Sequence, residues 1–105
     1  MLDLFLPKSA KRVVVYLEPT NMRLSMEKLA ELCRNVVRIE PDDATCFVFV
    51  NRRRDALLMY FEDHDGAQTL TKKLDKGSFL LPARDAHRAP FVVLKPSMLR
   101  RLFRS

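Results

Sequence analysis

Apolar residues in this chain fall into four tight runs and one periodic stretch, and their spacing predicts the main elements. Arg12-Val13-Val14-Val15-Tyr16-Leu17 is continuous and β-branched and is followed by Pro19, which reads as a well-covered strand. From Met22 the step changes. Met22, Met26, Leu29, Ala30, Cys33, Val36 and Val37 recur every three or four positions, which predicts one face of a helix from about Leu24 to Arg38. The opposite face carries Glu27, Lys28, Glu31 and Arg34, Asn21 or Ser25 is the expected N-cap, and Pro41 lies beyond the end. Thr45 to Val50 and Ala56 to Glu62 are nearly all apolar, so a sheet built from them needs cover on both faces.

The polar segments between these runs are short and chemically distinct. Asn51-Arg52-Arg53-Arg54-Asp55 is a basic turn, and Asp63-His64-Asp65-Gly66 is an acidic turn with an Asp-Gly hairpin signal. A lysine-bearing strand then runs to Lys76-Gly77, where the glycine marks another turn or a bulge. Three strands joined by two tight turns make an antiparallel meander. Pro82 to Pro90 lacks apolar period and reads as a surface loop, Phe91 to Leu94 as a short strand, and Ser97 as the cap of a terminal helix with Met98, Leu99, Leu102 and Phe103 on one side. At 105 residues the chain is long enough for one core. The expected fold is a single α+β domain over 1–105: a small antiparallel meander on one main helix, with a short C-terminal helix in a basic strand-helix segment at 90–105.

Charge sharpens this picture. The formal net charge is +6, yet residues 1–50 balance at seven basic and seven acidic, whereas residues 51–105 hold twelve against six. The excess therefore sits in the second half, where it favours a polyanionic partner. Cys33 and Cys46 form no CxxC pair and lie among apolar neighbours, as buried thiols of a reducing compartment do. Residues 1–7 are too short for a signal segment and are interrupted by Asp3, and no run approaches the ~20 apolar residues of a membrane span. A cytoplasmic protein with no membrane partner is expected.

A search for chemistry returns little. Glu62, Asp63 and Asp65 form the one tight acidic cluster, but hairpin geometry already accounts for the turn aspartates, so a metal-dependent nuclease is the weakest reading. His64 and His87 have no identifiable nucleophile partner, and neither glycine opens a nucleotide-binding loop. No catalytic residue, metal or cofactor is assigned. What remains is a basic series: Arg52, Arg53 and Arg54 in the turn, Lys72, Lys73 and Lys76 beyond it, Arg84 and Arg88 in the loop, and Arg100, Arg101 and Arg104 on the terminal helix. Distributed charge of this kind tracks a phosphate backbone, although basic turns also serve to prevent edge pairing. Phe47, Phe49 and Phe61 read as core, while Phe5 and Phe103 could complete an apolar surface for a partner.

Several motifs, in order, carry a resemblance. Thr20-Asn21-Met22-Arg23-Leu24-Ser25, Phe47-Val48-Phe49-Val50-Asn51-Arg52-Arg53-Arg54-Asp55, Asp63-His64-Asp65-Gly66, Lys72-Lys73-Leu74-Asp75-Lys76-Gly77-Ser78-Phe79 and Pro82 resemble the accessory protein of bacterial insertion sequences of family sixty-six. This is the TnpB-like product of the second open reading frame beside the transposase. The likeness covers about residues 12–82 and departs from the family pattern at Asn21 (usually Asp), Glu62 (usually Trp) and Ala67 (often aromatic). It implies an accessory role in transposition. The basic series and the resemblance together give the leading expectation of a non-catalytic factor that binds transposon-end DNA, the transposase, or both. Arg23, Arg52, Arg53, Arg54, Lys72, Lys73, Lys76, Arg100, Arg101 and Arg104 are the expected phosphate contacts, with Asn51 and Gly66 setting the turns. The alternative is a protein-interaction module of the transposition complex without DNA affinity.

Overall fold

The computed structural model describes residues 6–84 and 89–103, the side chains of residues 100–103 excepted. Five strands, β1 (Arg12–Tyr16), β2 (Thr45–Val50), β3 (Ala56–Asp63), β4 (Gly66–Lys73) and β5 (Phe91–Leu94), form one sheet in the order β4-β3-β2-β1-β5. The expected meander is present as β2-β3-β4, each strand antiparallel to the last. The sheet is mixed, however, because β1 lies parallel to β2, with Val13 opposite Cys46 and Val15 opposite Val48. β5 then pairs antiparallel with the other side of β1. Parallel neighbours require a crossover, and the helical segment between β1 and β2 supplies it.

The strand interiors follow from their place in this order. Val13, Val14 and Val15 are fully buried, as are all six residues of β2, because each strand has a neighbour on both sides and cover on both faces. Val14, Phe47, Phe49, Leu58 and Tyr60 face the helix and meet Leu29, Cys33 and Val37. Val13, Val15, Val48, Leu57 and Met59 face the other way, where Phe79 and Leu99 cover them. β4 is an edge strand and is exposed along nearly its whole length, with Gln68, Thr69, Thr71, Lys72 and Lys73 keeping that edge polar. The lysine strand stops at Lys73. Gly77 lies in the loop beyond it at φ +79°, a backbone conformation that favours glycine.

The helix is α1 (Met26–Glu31), capped by the Ser25 hydroxyl, which accepts the Lys28 N–H at 3.2 Å. It continues as a wider π-helical stretch over Leu32–Val37 and ends where Arg38 turns left-handed at φ 64°. The sequence predicted a continuous helix here; the change of pitch has a packing cause. Leu29, Cys33 and Val37 are each four residues apart, and in an α-helix four residues overshoot a turn by about 40°. The wider turn undershoots it, so the two drifts offset and all three side chains stay on the sheet. The C-terminal helix, expected from the Ser97 cap, is a 3-10 helix over Pro96–Phe103, with the Met98 N–H donating to the Lys95 carbonyl at 2.9 Å.

Candidate nucleic-acid interface

Strand direction gathers the basic loops. The Asn51–Asp55 turn joins the end of β2 to the start of β3, and Lys72 and Lys73 pair with Leu57 and Ala56, so turn and lysines share one end of the sheet. Because β1 runs parallel to β2, its exit loop arrives at the same end, where the Thr20 N–H donates to the Val50 carbonyl at 2.9 Å. The result is an open groove of about 490 Å³, with Pro19, Thr20, Asn21, Met22 and Arg23 on one side and Asn51, Arg52 and Arg53 on the other. A second concavity of about 340 Å³ on the far flank of the turn is lined by Leu17, Arg54, Leu81, Pro82, Ala83 and Arg84.

The arginine turn is held in one shape. The Asn51 side-chain oxygen accepts the N–H groups of Asp55 and Ala56 at 3.0 and 3.1 Å, and its amide nitrogen donates to the Asp55 carboxylate at 2.7 Å. Arg54 sits at φ 59°, and its N–H donates back to the Asn51 carbonyl at 3.0 Å. From outside, the Leu74 N–H donates to Asp55 O at 2.8 Å and the Phe79 N–H to Arg54 O at 2.6 Å, which brings the Lys76 loop against the turn. The Asn51 hydrogen bond, then nearby Lys73 and Arg53, hold the Asp55 carboxyl below its ordinary range. On the other wall, Asn21 Oδ1 accepts the Arg23 N–H at 2.9 Å, fixing the loop that leads to Ser25.

Most of these cations have no acidic partner. Among the described residues Arg23, Arg52, Arg53, Arg54, Lys72 and Lys76 make no ion pair, whereas Lys73 lies 4.0 Å from Asp55 and Arg84 is bound to Glu18. Arg84, placed in the basic series from sequence, is therefore largely neutralised. The side chains of Arg100 and Arg101 and the whole of His87, Arg88 and Arg104 lie outside the described residues, as do Phe5 and the Phe103 side chain. β5 runs antiparallel to β1, so the chain enters the terminal helix from the end of the sheet opposite the arginine turn.

The acidic turn lies at that opposite end and is differently built. Asp63 Oδ1 accepts the N–H groups of Asp65 and Gly66 at 2.8 and 3.1 Å, the hydrogen bonding of a capped turn. Asp63, His64 and Asp65 hold ligand atoms within 4.8 Å of one another, all exposed, while Glu62 is engaged elsewhere. Arg34 donates to both Glu62 oxygens at 2.9 and 3.3 Å and to Glu40 at 2.9 Å, and the Tyr60 hydroxyl also donates to Glu62. Burial, then this Glu62 bond, raises the Tyr60 pKa. The sequence reading missed this network, whose only sequence signal was Glu62 itself at the end of an apolar strand. The two thiols are buried as expected, and burial pushes both up to about 12. No helix among the described residues is long and apolar enough to cross a membrane.

The class defined by this geometry is a small α+β domain with a sheet covered on both faces and basic loops collected at one end. A model of the family described as IS66 Orf2 like protein matches residues 11–105, and the chain belongs to that family. The family's description names the product of the second open reading frame of IS66 elements. Two proteins of Sinorhizobium fredii (strain NBRC 101917 / NGR234) are similar. Uncharacterized protein y4hO is 32% identical over 74 residues, 70% of this chain and 64% of its own length. Uncharacterized protein y4jC is 30% identical over 76 residues, 72% of this chain and 65% of its own. The chain thus spans slightly less than two thirds of these relatives. No solved structure matches it.

Proposed function

We propose that this protein is a transposition accessory factor that holds DNA by its phosphate backbone at the basic end of the sheet. One observation carries the reading: Arg23, Arg52, Arg53, Arg54, Lys72 and Lys76, from three separate chain segments, converge there without an ion pair, Arg53 alone among them lying near enough to Asp55 to help hold its carboxyl low. Guanidinium forks suit phosphate oxygens, and fixed turns lower the ordering cost of meeting them. Lys73 is shared with Asp55, and Arg100, Arg101 and Arg104 belong to the proposal through sequence alone. The direct test is fluorescence anisotropy of a labelled terminal-repeat duplex against a scrambled one. Six phosphate contacts predict about a thousandfold weaker binding at about 200 mM than at about 50 mM salt. Preference for the terminal repeat would add end recognition, and no binding at the lower salt would overturn the proposal.

A second reading, docking on the transposase without DNA affinity, is favoured by a different surface. Leu24, Leu32 and Val36, with Lys28, Glu31 and Asn35, line a shallow groove of about 320 Å³ along the helix, and Val36 is 45% exposed. It predicts co-purification with the transposase that persists in high salt and is lost with Val36→Asp.

A further inference from the structure

The groove beside the arginine turn is more than a charged surface. It lies beyond the carboxyl ends of two adjacent parallel strands, β1 and β2, whose exit loops form its two walls. Its volume of about 490 Å³ falls within the range of small-ligand sites, roughly 300–1,000 Å³. The walls are chemically unlike. Arg23, Arg52 and Arg53 supply positive charge, while Pro19 and Met22 supply apolar surface, and Asn21 adds an amide. Duplex phosphates need only the first of these.

An unpaired nucleotide uses all three. Its phosphate would meet the arginines, its base would lie on the Met22 thioether and the Pro19 ring, and a base edge would find the Asn21 amide nitrogen. The nitrogen is available because Asn21 Oδ1 is already occupied by the Arg23 N–H, which fixes the amide's orientation. Met22 is half-buried against the helix-side core, so its position is set by packing and needs no reordering on binding.

We infer that this groove takes one unpaired nucleotide of a DNA strand, so the protein prefers a duplex with a single-stranded extension over a blunt one. This deepens the proposed DNA binding and rests on it. The test compares the affinities of one duplex, blunt or carrying a short overhang, at equal salt, with the overhang bound about tenfold tighter. Met22→Ala should shrink that preference while leaving affinity for the blunt duplex and its salt slope unchanged, and Asn21→Ala should shrink it by more than it weakens the blunt duplex, whose Arg23 contact Asn21 also positions; folding is checked by circular dichroism. Asn21 is exposed, so its variant remains informative if Met22→Ala proves unstable. Equal affinity of the wild-type protein for both DNAs overturns the inference and leaves backbone binding intact. An overhang preference that survives in a folded Asn21→Ala or Met22→Ala protein also overturns it, by placing the unpaired strand elsewhere. Binding of neither DNA overturns both proposals. Deoxynucleoside monophosphate in excess should remove the overhang advantage alone, and failure to do so counts against a site for a single nucleotide.

Discussion

The two turns of the meander differ in charge and in what their backbones are made to do. At one end of β3, Asn51–Asp55 presents three arginines from a turn whose hydrogen bonds come from Asn51 and from the Leu74–Phe79 loop. At the other end, Asp63–Gly66 presents acids that cap their own turn. β3 has eight residues, so the turns stand roughly 25 Å apart. That is about three Debye lengths at physiological salt, each being about 8 Å. The acids at one end therefore do little to weaken the cations at the other. A net charge of +6 understates the field at the basic end, and a polyanion approaching the molecule is oriented by it.

Neutralising Arg52, Arg53 and Arg54 together to Gln should have the largest effect, lowering the salt slope of DNA binding by up to about 2.7 units at ~0.9 per contact. The matched change at the other turn, Asp63→Asn with Asp65→Asn, should leave that slope unaltered; equal effects from both would erase the distinction between the ends. Asn51→Ala comes next. It leaves the Asp55 and Ala56 N–H groups without their acceptor and should cost about 1–3 kcal/mol in urea unfolding, with weaker DNA binding from an arginine turn no longer held.

Smaller effects follow from the acidic end and from pH. Arg34→Ala breaks the exposed pairs with Glu40 and Glu62 and should cost about 0.5–1 kcal/mol without changing DNA affinity, since Tyr60 still bonds Glu62. A shift in affinity would show that the ends communicate. Acid sensitivity should be slight and shared by both ends. Asp55 is held low chiefly by Asn51, and Asp42 chiefly by the Thr45 hydroxyl and the Ala44 N–H. Their folded values lie below the ordinary 3.8, so their contribution is present above that pH and is lost as pH falls below it. Urea midpoints measured from pH 5 to pH 2 should fall less steeply in the Asp42→Asn, Asp55→Asn double variant.

Local features of this fold were legible in the sequence and pairings across long separations were not. Thr45–Val50 emerged with the expected bounds, and Arg12–Tyr16 and Ala56–Asp63 within one residue, because a continuous apolar run signals a covered strand. The turns were legible because Asn51 and Asp-Gly carry their own geometry. The parallel pairing of β1 with β2 was not, since no hairpin joins them and nothing in either pattern names its neighbour. The groove shared that fate. Arg23 and Arg52 were both expected to meet phosphate, but their adjacency depends entirely on that parallel pair. The change of helical pitch was hidden as well, because four-residue spacing fits an α-helix over one turn and departs from it only over two.

The placement of β5 bears on how the chain is made. One of the two hydrogen-bonding partners of β1 is β5, which is synthesised nearly eighty residues later. Until Phe91–Leu94 has been synthesised, Val13, Val14 and Val15 present an unpaired apolar edge, the kind that recruits other strands. A product terminated before Phe91 would retain the groove-forming segments while lacking the edge strand that covers β1. A chain lacking Phe91–Leu94 should therefore be prone to aggregation and proteolysis through that exposed edge.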